Sequence, residues 1–302
     1  MKSINANHIE KTDLEKSVYN DIQSEIRKYY DSEEVKYKNN EEPEDTIINF
    51  FSYLYRLIPP VERNVHYSKE LLKKIDLKEL SEEHIAVLKK YKDAFVAGTD
   101  MNIFLSNNIK NASDTDFLLY TWHLYHLHMS GKFVNDNKQM KNNRSDTQLL
   151  CIITLKDVYF VDVIKHPTKP EEYFDIRSLE IIVQNGWIEH IGFIEITDMI
   201  PGTLQPEITA SKDIFELYSK CSSNIAFEFQ NKGYCSLEPM SSIRRPSEVT
   251  YTLIRINKQI SKLNSIDGTY KGFRLGCNKQ GKLMGLVDFE TPTRERTCFD
   301  IF

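Results

Sequence analysis

The stretch Trp122–His128 holds three of the chain's eight histidines. If it is extended, His126 and His128 project from the same face, because successive side chains on a strand point to opposite sides. On a helix, His123 and His126 would share a face instead. Imidazoles exchange protons near neutral pH and also bind metals, so histidines on one face could serve acid–base catalysis or metal ligation.

Candidate partners for these histidines flank a predicted β-hairpin. The runs LLCIITL (149–155) and VYFVDVIKH (158–166) are β-branched or aromatic, and Lys156-Asp157 separates them. Arg144 precedes the first run, and Lys165 and His166 end the second. The start of one antiparallel strand lies beside the end of the next, so we expect Arg144 and His166 to be close.

The chemistry of this set suits the cleavage of RNA without a metal. Imidazoles can accept and donate the protons, a guanidinium can hold phosphate oxygens, and RNA supplies its own 2′-hydroxyl nucleophile. We therefore expect an endoribonuclease without cofactors, whose catalytic residues are His126, His128, Arg144, Lys165 and His166.

Two alternatives remain open. A metal-dependent hydrolase could use His126, His128 and His166 as ligands, since His-x-His on a strand is a chelating spacing. A non-enzymatic sensor or binding protein of a defence or toxin–antitoxin system would instead keep the histidines as buried structural residues.

Residues 124–174 resemble the core of the RelE/ParE toxin superfamily. The similarity consists of LHxHMSGK, Arg144, the hairpin ending in His166, and Tyr173-Phe174. It implies a RelE-like core and an endoribonuclease that acts on messenger RNA as a toxin or phage-defence effector. Carried over, Arg144 would hold the scissile phosphate, His166 would donate or accept a proton, and Lys165 would stabilise charge. Residues 50–195 also resemble uncharacterised bacterial proteins of unknown function.

Composition and charge limit the kinds of partner that this chain can have. The chain has 302 residues, 40% hydrophobic and 27% charged, which suits a protein with a real core. No apolar stretch approaches about 18 residues and the N-terminus has no signal-peptide core, so we expect a cytoplasmic protein without a membrane partner.

Two basic segments indicate a nucleic-acid surface. Residues 132–169 carry a net charge of +3 and residues 241–302 one of +5, while residues 170–240 between them carry −8. We expect RNA, or an acidic protein such as an antitoxin or a phage protein, to meet these segments. The candidate nucleic-acid contacts are Lys132, Arg244, Arg245, Arg255 and Lys258.

The predicted fold class is α+β. A helical N-terminal part would lie on a small antiparallel sheet, followed by a β-rich C-terminal domain. The domains would be an acidic helix and linker (1–47), a core carrying the histidines and arginine (48–200) and the C-terminal domain (205–302). We expect Ser81 to cap a helix, Ser113–Asp116 to form a capping box, and VTYTLIRI (249–256) to be a strand.

Overall fold

The computed structural model describes residues 12–130, 145–197, 211–220, 226–236, 247–278, 283–290, 296–300 and 302. Its contacts form two compact units, each made of separate stretches of chain. The first comprises residues 1–54, 110–113 and 248–302, and the second comprises residues 55–109 and 114–247. The continuous division into three domains stays a prediction, and its boundary at 200–205 lies outside the described residues.

The described part of the chain begins with helices and ends with strands. The helices are α1 (Asp13–Ser32), α2 (Pro43–Arg56), α3 (Lys69–Asp76), α4 (Glu82–Val96), α5 (Phe117–Trp122), α6 (Ile176–Gln184), α7 (Ser211–Lys220) and α8 (Ser247–Leu263). The strands are β1 (Asn64–Tyr67), β2 (Leu124–His128), β3 (Thr147–Ile153), β4 (Asp157–Lys165), β5 (Phe193–Ile196), β6 (Ala226–Phe229), β7 (Lys232–Ser236), β8 (Thr269–Cys277), β9 (Leu283–Glu290) and β10 (Arg296–Asp300).

The central sheet of the second unit has the strand order β1-β4-β3-β2. Strand β3 is antiparallel to both of its neighbours, β2 and β4, whereas β1 is parallel to β4. One face packs against a core that includes Tyr91 and Phe95 of α4, and the other face against a core that includes Trp122 and Phe174. A smaller antiparallel sheet, β5-β7-β6, belongs to the same unit.

The first unit combines helices with the antiparallel sheet β10-β9-β8. Helix α1 begins with a capping box, in which Thr12 and Glu15 satisfy each other's backbone N–H groups. Its apolar face is buried at Val18, Ile22 and Ile26, which have the spacing of one helix face.

The predicted α+β class is confirmed, with a largely helical N-terminal half and a β-rich C-terminal part. The hairpin is also confirmed, as β3 and β4. Ser81 caps α4 as predicted, since its side chain accepts a hydrogen bond from the His84 N–H. None of the helices in the described ranges combines the length and apolar character needed to cross a membrane.

Two local predictions are wrong. The segment 249–256 lies within α8, where Val249, Ile256, Ile260 and Leu263 are buried with helical spacing. Burial of this face outweighs the strand preference of its β-branched residues. The cap of α5 is Asp116 itself, whose carboxylate accepts from the Leu119 N–H, and not a box opened by Ser113.

Candidate functional site

The histidine strand follows directly from the end of a short helix. Helix α5 stops at Trp122 because His123 adopts a left-handed conformation (φ 52°), which turns the chain into β2. His126 and His128 are then two apart on a strand and share a face, as the extended interpretation predicts. His123 instead places its Nδ1 3.0 Å from the Tyr55 hydroxyl.

The hairpin brings His166 to the same place. His128 of β2 lies opposite Gln148 of β3, and Gln148 lies opposite Ile164 of β4. The backbone N–H of His166 donates to the Asp146 carbonyl (2.7 Å). The rings of His128 and His166 are stacked, with centroids 5.2 Å apart and planes at 28°.

These side chains line one cleft of about 400 Å³, here called the histidine cleft. His126, His128 and His166 contribute three imidazoles to its wall, together with Gln148 and Tyr173. His128 is only 5% exposed, whereas His166 is exposed to solvent. Charged residues also line the cleft: Arg56, Asp114, Asp116 and Lys169.

Hydrogen bonding defines the proton positions on His166. Its Nδ1 is 2.7 Å from the carbonyl oxygen of Pro167. Because a carbonyl only accepts, Nδ1 must carry the proton, and in the neutral ring Nε2 then holds a lone pair. An exposed imidazole with this tautomer can act as a general base through Nε2.

His126 lies between an aromatic ring and a carboxylate. Its ring is 5.0 Å from that of Tyr173, and its Nδ1 is 3.8 Å from a carboxylate oxygen of Asp116. This separation exceeds hydrogen-bond length, so the Asp116 carboxylate lies beside the ring without a hydrogen bond to Nδ1. An imidazole in a cleft wall can act as a general acid.

Arg56 and Asp114 form a charged pair in the wall of the cleft. Arg56 is 3% exposed, and its Nη1 is 3.9 Å from an Asp114 carboxylate oxygen. Burial raises the pKa of the Asp114 carboxyl, and the nearby guanidinium acts in the opposite direction. Sequence analysis missed Arg56, although it is the only cation in the apolar stretch INFFSYLYRLI.

The structure does not bring all predicted site residues into the cleft. Lys165 is exposed and lines a neighbouring cleft of about 390 Å³, which shares His166 and Tyr173 with the first. Arg255 and Lys258 are exposed on α8 in the other unit. The remaining candidates, Lys132, Arg144, Arg244 and Arg245, lie outside the described residues.

The metal-ligand alternative gains no support from the geometry. Within the described ranges, no three His, Cys, Asp or Glu side chains come together as ligands for a metal ion. The trio of His126, His128 and His166 therefore shares a cleft without forming a ligand cage.

No family model, no curated protein and no solved structure matches this chain. The similarity to the RelE/ParE core therefore stays a prediction.

Proposed function

We propose that this chain is a metal-independent endoribonuclease and that the histidine cleft is its active site. The observation that carries the proposal is the convergence of His126, His128 and His166 on one cleft, with Nε2 of an exposed His166 available as a base. Three imidazoles in one concave site supply both partners of acid–base catalysis.

The proposed reaction is an internal attack within RNA. Nε2 of His166 accepts the proton of the 2′-hydroxyl while the 2′-oxygen forms a bond to the adjacent phosphorus. The bond from phosphorus to the 5′-oxygen breaks, and protonated His126 gives that oxygen its proton. The products are a 2′,3′-cyclic phosphate and a 5′-hydroxyl, so atoms and charges balance without an external water.

Charge at the reacting phosphate is the second part of the proposal. Arg56 and Lys169 contribute positive charge to the cleft wall. Arg144 is two residues from Asp146, whose carbonyl accepts the His166 N–H, so in sequence it is next to the site. We propose that Arg144 binds the scissile phosphate, as the RelE/ParE resemblance implies, and that Lys165 binds the flanking phosphate. The biological role would be that of a toxin or phage-defence effector.

The test compares histidines inside and outside the cleft. Wild-type protein, His166→Ala and the control His66→Ala are induced in cells, and RNA ends are mapped. His66 is 44% exposed and pairs with Asp157, outside the cleft lining. We expect wild type and the control to arrest growth and to leave cyclic-phosphate ends, and His166→Ala to lose about 100-fold or more of the cleavage.

Two outcomes would overturn the proposal. The first is His166→Ala protein that remains as active as wild type while folded. The second is wild-type protein that binds RNA or a protein partner and cuts no RNA, which would favour the non-enzymatic alternative. Cleavage that persists in purified protein with a strong chelator, and that fails on RNA with a 2′-deoxy sugar at the cut site, would support the mechanism.

A further inference from the structure

Gln148 is a fully buried polar residue at the floor of the histidine cleft. It lies on β3 between His128 and Ile164 and is 0% exposed. The residues that follow it on the strand are apolar, with Leu149, Leu150 and Cys151 also buried. A side-chain amide in such a position needs hydrogen-bond partners, because burial removes its water.

Among the residues that the structure describes, only one end of this amide finds a partner. The Tyr173 hydroxyl donates to Gln148 Oε1 at 2.7 Å. The other end, Nε2, is buried and has no hydrogen-bond acceptor in the part of the chain that the structure describes. A donor left in this way is costly for a folded protein, and such groups often mark a function.

Tyr173 determines which end of the amide faces the cleft. Burial raises the pKa of Tyr173 to about 12, so the phenol stays protonated and remains a donor over the physiological range. Because Oε1 accepts this bond, Nε2 is the end left to face a ligand.

The carboxylates in the cleft wall do not accept a hydrogen bond from Gln148 Nε2. Asp116 caps α5 and lies 3.8 Å from His126 Nδ1, while Asp114 faces Arg56 at 3.9 Å. Both acidic groups thus have cationic or N–H neighbours, and the amide N–H groups are left for a ligand that brings its own acceptor oxygen.

We propose that Gln148 is the oxyanion-binding donor of the histidine cleft, with Nε2 donating to a phosphate oxygen and Tyr173 acting as the positioning residue that orients the amide. This inference rests on the proposed function for the identity of the phosphate as that of an RNA strand. A neutral donor held rigidly beside the imidazoles stabilises charge on the phosphate as the 2′-oxygen attacks.

The test measures binding of inorganic phosphate to the full chain by calorimetry, together with thermal unfolding. Gln148→Met keeps the shape and removes the donor. We expect binding about 10- to 100-fold weaker, as for one lost hydrogen bond to a charged oxygen, with an unchanged or higher melting temperature. Gln148→Glu should lose more, because a carboxylate repels phosphate. Gln184→Met, a change on α6 outside the cleft lining, is the matched control.

Tyr173→Phe tests the positioning role. Freed of the phenol, the amide can rotate and present its oxygen to the cleft, so phosphate binding should weaken. The double variant Tyr173→Phe/Gln148→Met should bind no worse than Gln148→Met alone, since the tyrosine acts through the amide. Additive losses would contradict this role.

Failure of this inference and failure of the proposed function give different results. Wild-type phosphate affinity in Gln148→Met or Gln148→Glu overturns the inference even if the chain cuts RNA. If phosphate binding depends on Gln148 but the chain cuts no RNA, the oxyanion site is supported and the proposed ribonuclease function is rejected.

Discussion

Substitution of Ser68 by alanine should destabilise the unit that carries the histidine cleft. Ser68 caps α3 and is 0% exposed. Its hydroxyl donates to the Val161 carbonyl (2.7 Å) and accepts from the Leu71 N–H (2.9 Å), so one side chain ties the helix to β4. The alanine variant loses both bonds and leaves buried backbone groups without partners.

The expected magnitude follows from a comparison with a second serine cap. An exposed cap such as Ser81, which accepts from the His84 N–H, should cost about 1 kcal/mol when removed, because water replaces the lost bond. At Ser68 the Leu71 N–H and the Val161 carbonyl would be left buried without partners, which adds a desolvation penalty of about 1–2 kcal/mol. We therefore expect a loss of about 2–3 kcal/mol for Ser68→Ala and about 1 kcal/mol for Ser81→Ala.

Urea denaturation followed by tryptophan fluorescence measures this difference. The chain has two tryptophans, Trp122 and Trp187, and both belong to the same unit as Ser68 and Ser81. With a urea slope of about 2–3 kcal/mol per molar, the midpoint of Ser68→Ala should fall by roughly 1 M and that of Ser81→Ala by less than half of this. Equal shifts for the two variants would refute the argument that burial sets the cost.

Three further predictions concern the same unit. Burial holds the pKa of Tyr173 at about 12, above the value of about 10 expected when unfolded, so its contribution to stability is complete below pH 10 and is lost as the pH rises to 12. In Tyr173→Phe the urea midpoint should fall less steeply between about pH 10 and pH 12 than in wild type. The same dependence of the midpoint on pH in both proteins would contradict the raised pKa of Tyr173. Lys74→Met should lower the free energy of unfolding by about 2 kcal/mol, because it leaves Asp162 (7% exposed) without the ammonium that contacts both of its oxygens. Asp162→Asn should lower it by less, since Lys74 can reach water. The reverse order in urea midpoints would exclude this account. Gly98→Ala should cost about 1–3 kcal/mol by thermal unfolding, because φ is +66° and the new Cβ would lie 2.9 Å from the Glu62 nitrogen, and a neutral result would show that this turn relaxes.

Local sequence patterns predicted the fold where each element buries its own apolar face. The hairpin of β3 and β4 follows from two apolar runs around a short polar turn, and the structure confirms it. The segment 249–256 is too short to reveal a helical period and shows mainly its β-branched residues, which favour a strand. Over the longer window 249–263, the buried residues Val249, Ile256, Ile260 and Leu263 have the spacing of a helix.

Residue type and alternation predicted part of the candidate site. The shared face of His126 and His128 follows from the period of a strand once β2 is known to be extended. Gln148 was missed, although a lone amide in the apolar strand TQLLCII is a visible signal. Arg56 is far from the histidines in sequence, so only tertiary structure could bring it into the cleft wall.

The position of His166 depends on a β-bulge that strand alternation cannot predict. Along β4, Val158 and Phe160 pack into the core beside α4, whereas Tyr159 and Val161 pack on the opposite face. Regular alternation would send Ile164, and with it His166, to the α4 side.

In the structure the pairing register shifts between Leu150 and Cys151, so that Leu150 lies opposite Asp162 while Cys151 lies opposite Phe160. The extra residue on β4 reverses the alternation, and Ile164 joins the face that carries Leu124 and Leu150. His166, two residues further on, thereby lines the cleft with His126 and His128. A one-residue irregularity in the middle of a strand thus determines whether the third imidazole belongs to the site at all.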